Sequence, residues 1–276
     1  MNRQKFKQTI PYLILGMFTL FFCWFFCGRY GVFGSKVDWI SQHSVLPDYF
    51  RQQFYNTGQL FPEFAANIGG GQNIYNFAYY GLYSPVVLIS YFLPFVKMSD
   101  YMMAAGVISL IAAVLLFYKW LLRRGITSRL SFLTALLFLL SGPMIYHSYN
   151  QIMFVNYMPF LCLAFLGVDR YFEKQKAGLY TISVFLMILT SFYFSIGGMF
   201  ALVLYVIYRY TEGKEKLGEN IKILGFVSDG FRFLLPMLTA VLMSAVLLVP
   251  TAMALAGGRE GGHKTALSAL LIPEIP

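Results

Sequence analysis

Residues 34–85 read GSKVDWISQHSVLPDYFRQQFYNTGQLFPEFAANIGGGQNIYNFAYYGLYSP, and the reading of this stretch decides the fold. It is the one long segment that is neither apolar enough to cross a membrane nor charged enough to be a solvated tail. It holds Asp38, Gln42, His43, Glu63, the run Gly69-Gly70-Gly71 and the pair Tyr79-Tyr80. The sequence on either side is dominated by apolar runs. The stretch is therefore expected to be a first extracytoplasmic loop, flanked by membrane-spanning helices.

Composition supports that frame. Apolar residues make up 58% of the chain and charged residues 12%, against roughly 45–50% and about 25% in soluble domains, so a water-soluble fold would lack the polar surface to cover itself. The net charge of +9 raises the question of nucleic acid. The cations occur as short clusters beside apolar runs, however, which is the distribution of topology signals rather than of a nucleic-acid-binding stripe. No nucleic-acid partner is expected. Cys23 and Cys27 share an apolar run and Cys162 lies in another, which makes them small buried hydrophobes and not a disulfide framework or metal site.

In chain order, Arg3, Lys5 and Lys7 precede an apolar run from Ile10 to Cys27, with no small-residue cleavage site after it. It is read as a retained first span with a cytoplasmic N-terminus. In the loop, Ser44 is a candidate cap for a short surface helix with Pro47 in its first turn, Phe50 and Phe54 on one face, and Gly58 as its stop. The apolar segment Leu82 to Val96 is interrupted by Pro85 and Pro94 and falls short of the roughly 20 residues a span requires, so it is expected at the interface. Further spans are expected at Tyr101–Leu122, Leu130–Tyr146, Ile152–Val168, Leu179–Phe194, Ile196–Tyr208 and Phe233–Leu255. In this path 15 of the 21 Lys and Arg residues face the cytoplasm. It requires Leu179 to Tyr208 to fold as a hairpin around Ser195-Ile196-Gly197-Gly198, and it leaves Thr211 to Lys222 as a solvated cytoplasmic connection.

The expectation is an all-α polytopic membrane bundle of about seven spans, forming one membrane domain over 1–276. Its parts are the first span at 1–30, the long loop with interfacial helices at 31–99, the remaining spans at 100–255 and an extracytoplasmic end at 256–276. That end carries a further apolar stretch, Ala266 to Ile272, and stops at Pro276 with no evident closure, so the chain reads as cut off.

Asp38 has two readings: an N-cap for the helix that follows, or a carboxylate at the membrane surface, where the low-dielectric side strengthens its pull on a proton-donating group. Gln42, one turn on, is placed to share its face. Asp48 suits the N-terminus of the short helix, and Glu63 reads as a second acid or as a solvated side chain. His43, His147 and His263 all fall on the extracytoplasmic side, but none shows a ligand spacing, so no metal site is assigned. His147, Asn150 and Gln151 occupy a turn between spans. Arg259, His263 and Lys264 form a cationic cluster among glycines, suited to a phosphate. Gly69-Gly70-Gly71 lacks the context of a nucleotide-binding loop and reads as a turn needing special backbone angles. The many loop tyrosines, Tyr79 and Tyr80 among them, suit interfacial anchoring or packing against the C–H faces of sugars.

In order, the chain carries Asp38-x-x-x-Gln42 after the first span, Gly58 with Leu60-Phe61 and Ile68-Gly69-Gly70, and Tyr79-Tyr80-x-x-x-Ser84-Pro85. Then follow Ser141-Gly142, Asn150-Gln151, Met158-Pro159 and Ser191-Phe192-Tyr193-Phe194. This succession resembles the YfhO family of bacterial membrane proteins, in the broad GT-C class of polytopic glycosyltransferases, and covers nearly the whole chain. The resemblance implies a GT-C-like bundle in the bacterial cell membrane. It also implies transfer of a sugar from undecaprenyl phosphate to an extracytoplasmic acceptor, lipoteichoic or wall teichoic acid.

The presumed catalytic aspartate of that class matches Asp38. Gln42, His43, Glu63, Tyr79, Tyr80, His147, Asn150, Gln151, Arg259 and His263 are the candidate substrate-binding residues. No cofactor is named by the sequence, and a divalent metal stays open. Pro62-Glu63-Phe64-Ala65 departs from the Ser-Trp-Asn-like run common in the family, whose members are usually much longer, so these residues resemble an N-terminal portion. The competing expectations are a lipid or polysaccharide transporter or flippase component, for which ionisable residues within the spans are scarce, and a non-catalytic membrane scaffold or inactive fragment.

Overall fold

The computed structural model describes residues 3–30, 34–35, 38–60, 62, 64–68, 70–216, 218 and 223–256, with the backbone alone for 3–7, 28–30 and 223–224. The first helix, α1 (Arg3–Tyr30), leads into the loop. There a π-helical turn, Trp39–His43, is followed by α2 (Val45–Thr57) and by a two-residue antiparallel ribbon of β1 (Phe64–Ala65) with β2 (Gln72–Asn73). A 3-10 helix at Ile74–Tyr80, the short α3 (Pro85–Ile89) and a 3-10 turn at Ser90–Phe92 complete it. Then come α4 (Met98–Arg123), α5 (Ser128–Leu139), α6 (Gly142–Asn150), α7 (Ile152–Lys174), α8 (Gly178–Thr190), α9 (Phe192–Lys216), α10 (Ile223–Met243) and α11 (Ala245–Ala256).

Among the described residues five helices are long and apolar enough to cross a membrane: α1 over Gln8–Cys27, α4, α7, α9, and α10 over Gly225–Met243. The pair α5 and α6, bent by 47°, makes a sixth if it is one span. The bend follows from Pro143 in the first turn of α6, which has no N–H to donate to a continued helix. At 13 and 12 residues, α8 and α11 are shorter apolar helices.

The bundle stands around α7. Within its apolar window 72% of residues are buried, against 17–39% in the other four candidate spans, so α7 is wrapped by its neighbours where the others turn a face outward. Its closest approach is to α8. A Cβ on Gly167 would lie 2.6 Å from Tyr180 Cα and 2.7 Å from its N, a separation only glycine allows.

Ring contacts fix the direction of each helix. Tyr12 of α1 meets Tyr118 near the far end of α4, whereas Phe26 meets Tyr149 near the loop. Phe194 at the start of α9 meets Phe154 of α7, whereas Tyr205 further along meets Phe165. The start of α1 and the ends of α4, α7 and α9 therefore share one end of the bundle. The clusters around Arg123, Lys174 and Lys214 gather there, remote from the loop.

At that basic end Asp169, fully buried, accepts a hydrogen bond from Tyr205 at 2.6 Å, forms an ion pair with Arg209 at 2.8 Å and lies 3.8 Å from Arg124. Glu212 accepts from Arg124, Arg209 and Lys216. Opposite charges are thus paired with one another across α4, α7 and α9, and pairing is what makes buried ions tolerable, although Asp169 Oδ2 and Arg209 Nε keep no hydrogen-bond partner among the described residues.

Within the bundle the structure departs from the sequence reading in three places. The chain does reverse between α8 and α9, but at Ser191, whose backbone is extended (φ −158°, ψ 98°), and not at Ser195–Gly198. Ser195 bonds its hydroxyl back to Ser191 O at 2.6 Å, and Gly198 admits Met187 and Tyr157, so both act within a helix. The expected span Phe233–Leu255 is interrupted at the buried Ser244, and α11 packs on the Ile74–Tyr80 segment through Leu247. Thr211 to Lys216 is helix and not solvated connection, with Glu212 held in the ionic network.

Other local readings hold. Gly58 stops α2 in the left-handed region (φ 70°), donating to Phe54 O at 2.8 Å. Gly70 and Gly71 have φ of 80° and 95° and turn the chain between β1 and β2. The segment Leu82–Val96 does not span. Arg51, buried on α2, clamps it by donating to Leu93 O and Val96 O at 3.2 and 3.0 Å and to Asp48 at 2.7 Å.

The Gly167 contact is testable. Because the obstructing atoms are backbone, Gly167→Ala should lower the unfolding free energy by about 1–3 kcal/mol. Gly178→Ala, which meets nothing within 4 Å, should lower it far less; thermal unfolding of the two variants in detergent compares them.

Candidate functional site

The loop is joined to the bundle by Trp39. Its indole is buried, and a Cβ on Gly34 would fall 2.3 Å from the ring. A Cβ on Gly106 of α4 would meet the same ring and Ile152 of α7, each at 3.4 Å. Two glycines from distant parts of the chain thus make room for one indole. That position fixes Asp38, the residue before it.

Trp39 also opens the π-helical turn, closed by Ser44 N–H donating to Trp39 O at 3.0 Å. The wide turn returns after between four and five residues, which sets Gln42 and His43 on the side of Asp38; such turns recur at functional sites. Asp38 does not cap the turn. Its backbone is helical and its side chain makes no capping bond. Its carboxylate has no hydrogen-bond donor among the described residues and is half-buried. The capping reading is thereby set aside. Ser44 likewise makes no cap for α2, because its hydroxyl donates to Ile40 O at 3.2 Å.

Around Asp38 stand five of the expected residues. His43 is buried, with its ring 5.6 Å from Tyr80 and 6.4 Å from Tyr79, edge to face. Burial lowers its pKa from 6.5 to about 4, against an opposing pull from Asp38, so the imidazole is neutral near pH 7. Its Nδ1 has no partner among the described residues. Tyr80 donates to Gln42 Oε1, and Tyr79 donates to Gln151 Oε1 across 72 positions of sequence, both at 2.5 Å. Burial first, then the nearby Tyr80, Tyr193 and Asp38, pushes the Tyr79 phenol up to about 12, which keeps it a donor at neutral pH. The result is a carboxylate without a donor among the described residues, beside a neutral imidazole and two tyrosine–glutamine bonds.

Not all candidates join this group. Asn150 donates to Tyr146 O of its own helix at 2.9 Å, and the His147 ring packs on Phe154 and Phe194 at 4.6 and 5.6 Å. Glu63, Arg259 and His263 lie outside the described residues. Among the described residues no three His, Cys, Asp or Glu side chains come together to hold a metal ion.

Two contributors were not singled out by the sequence. Tyr193, at the start of α9, brings its ring within 6.0 Å of Tyr79; its signal is the Ser191–Phe194 run that ends a span. The other is a polar cavity of about 430 Å³ in the same loop, between α2 and the turn before α4, lined in part by Asp48, Arg51, Gln52 and Lys97 and by none of the residues grouped around Asp38. Its residues are far apart in sequence, so only the fold assembles it.

Residues 8–270 match the protein family described as bacterial membrane protein YfhO. No curated protein and no solved structure matches the chain.

A pH test reports on the site. His43 has a folded pKa below its unfolded value, so between about pH 6.5 and pH 4 the unfolded chain binds a proton that the folded chain does not. Stability should fall with acidification across that window, with a slope of up to one proton, and level off below it. His43→Gln should remove this component, read as the difference between the two pH profiles of thermal unfolding.

Proposed function

The chain belongs to the YfhO family of bacterial membrane proteins, and from that premise we propose that it is a GT-C-like glycosyltransferase using a sugar linked to undecaprenyl phosphate. The acceptor is extracytoplasmic, lipoteichoic or wall teichoic acid. The observation that carries this reading is the carboxylate of Asp38, held at the loop end by the buried Trp39 and left without a donor of its own among the described residues. A carboxylate used for structure has its donors supplied by the protein. This one is available to a substrate.

The sides of the membrane follow from charge. The basic clusters stand at the end opposite the loop, together with the start of α1. Cationic segments favour the cytoplasm, which supports a cytoplasmic N-terminus and an extracytoplasmic site.

In the proposed reaction the acceptor hydroxyl oxygen attacks the anomeric carbon as the bond from that carbon to the phosphate oxygen breaks. Asp38 accepts the hydroxyl proton, and the lipid phosphate departs as a stable anion, so little general-acid help is required. A single displacement inverts the anomeric centre. The Tyr79–Gln151 and Tyr80–Gln42 pairs orient the sugar through their remaining hydrogen-bonding capacity, and their ring faces suit its C–H bonds. Arg51 and Lys97 at the polar cavity place positive charge near the membrane surface for the carrier phosphate.

The test is Asp38→Asn in the native gene product, with sugar on extracted teichoic acids measured by mass spectrometry. Asn keeps the size of the side chain. Loss of at least about a hundredfold in sugar transfer, at unchanged membrane levels of protein, is the expected result. Undiminished glycosylation by the Asn variant would sink the mechanism and favour a transporter or scaffold.

A further inference from the structure

At the basic end, a cavity of about 280 Å³ opens between the ends of α4 and α7 and the start of α8. Four of its lining side chains are cations: Lys119 and Arg123, one turn apart on α4, and Arg170 and Lys174, one turn apart on α7. Its remaining walls are leucines, among them Leu163 on α7 and Leu179 on α8. Arg123 pairs with Glu173 at 2.5 Å. Lys119, Arg170 and Lys174 are exposed and have no carboxylate partner among the described residues.

Cations at helix C-termini complement the helix dipole, and cations at one membrane face set topology. Neither effect requires convergence. Both would be met by cations spread around the rim, where they do not repel one another. Here two like-charge pairs at helical spacing, each unfavourable by itself, face a common hollow from two helices. Glu173 offsets Arg123 alone, so Lys119, Arg170 and Lys174 are left to be balanced by an anion from outside the described residues.

The leucines say which kind of anion. Leu163 lies seven residues before Arg170 on the same helix, about 10 Å nearer the centre of the bundle at 1.5 Å per residue. The hollow is therefore cationic at the rim and aliphatic below, matching a charged headgroup with an acyl chain attached. We propose that this cavity binds an anionic phospholipid, with its headgroup phosphate among Lys119, Arg123, Arg170 and Lys174 and its chain along Leu163 and Leu179. Basic pockets between membrane helices take such headgroups. The proposal is independent of the chemistry assigned to the loop.

Native mass spectrometry of the full chain, released from a neutral detergent, tests it with dioleoylphosphatidylglycerol, dioleoylphosphatidylcholine and sodium phosphate as probes. Lys119→Gln/Arg170→Gln removes two rim charges, and Arg129→Gln/Lys216→Gln removes two from the same end outside the cavity. All four side chains are exposed and glutamine is a good helix former, so both double variants will fold. The expected result is a phosphatidylglycerol adduct that is weakened about tenfold or more in the first variant only, and that millimolar phosphate does not displace. Equal weakening in both variants, no weakening in either, equal binding of phosphatidylcholine, or displacement by phosphate would each overturn the proposal.

Discussion

The seating of the Trp39 indole is the contact on which the arrangement of the loop depends. The loop holds little regular structure: a two-residue ribbon, one helix of 13 residues and several short turns. Segments of that kind have few hydrogen bonds of their own to fix their position. A large flat side chain inserted where two glycines remove every competing atom supplies the missing anchor. Arg51 supplies a second one, by satisfying carbonyls that a short, proline-interrupted segment leaves open. Between them the loop is fastened by an apolar contact on one side and a charge-assisted one on the other. Asp38 and the polar cavity take their places from these two fastenings.

How much of this was legible in the sequence depends on the distance over which each signal acts. Apolar runs and helix stops are local, and they placed α1, α4, the start of α7, α2 with Gly58, and the non-spanning segment before α4. The glycines show where local reading fails. Gly197-Gly198 looks like a turn in sequence, yet Gly198 serves close packing against Met187 and Tyr157. Gly167 and Gly106 carry no local signal and admit neighbours from other helices.

Ser191 and Ser244, where the helices break, are ordinary residues whose effect is set by what packs around them. Within the site, Asp38, Gln42 and His43 were legible because one turn brings them together. Tyr79 with Gln151, and Tyr193 with Tyr79, were legible only as separate polar or aromatic residues. Asp169 fell just beyond the expected end of its span, and its partners Arg124, Tyr205 and Arg209 come from two other helices, α4 and α9.

The two ends of the bundle are built on different physics. Around Asp38, a carboxylate unpaired among the described residues, the loop end uses aromatic packing and neutral hydrogen bonds with a histidine uncharged at neutral pH, and its ion pair, Arg51 with Asp48, lies at the polar cavity. The basic end uses charge throughout, with the anions divided between Asp169, Glu173 and Glu212 and the cations left in excess. A neutral surround raises the influence of a single charge, because there is little nearby to screen it. This makes the loop end the place where one carboxylate can dominate the local field.

The ionic network has a mechanical consequence. It ties α4, α7 and α9 together at one extremity, while the reversal at Ser191 and the break at Ser244 lie at the other, where α11 rests on the loop. A set of rods tied by charge at one end and interrupted at the other yields first at the interruptions. Packed helices accommodate such motion by hinging at their interruptions. Both interruptions therefore fall on the side of Tyr79, Tyr193 and Asp38, and the ionic ties fall on the far side.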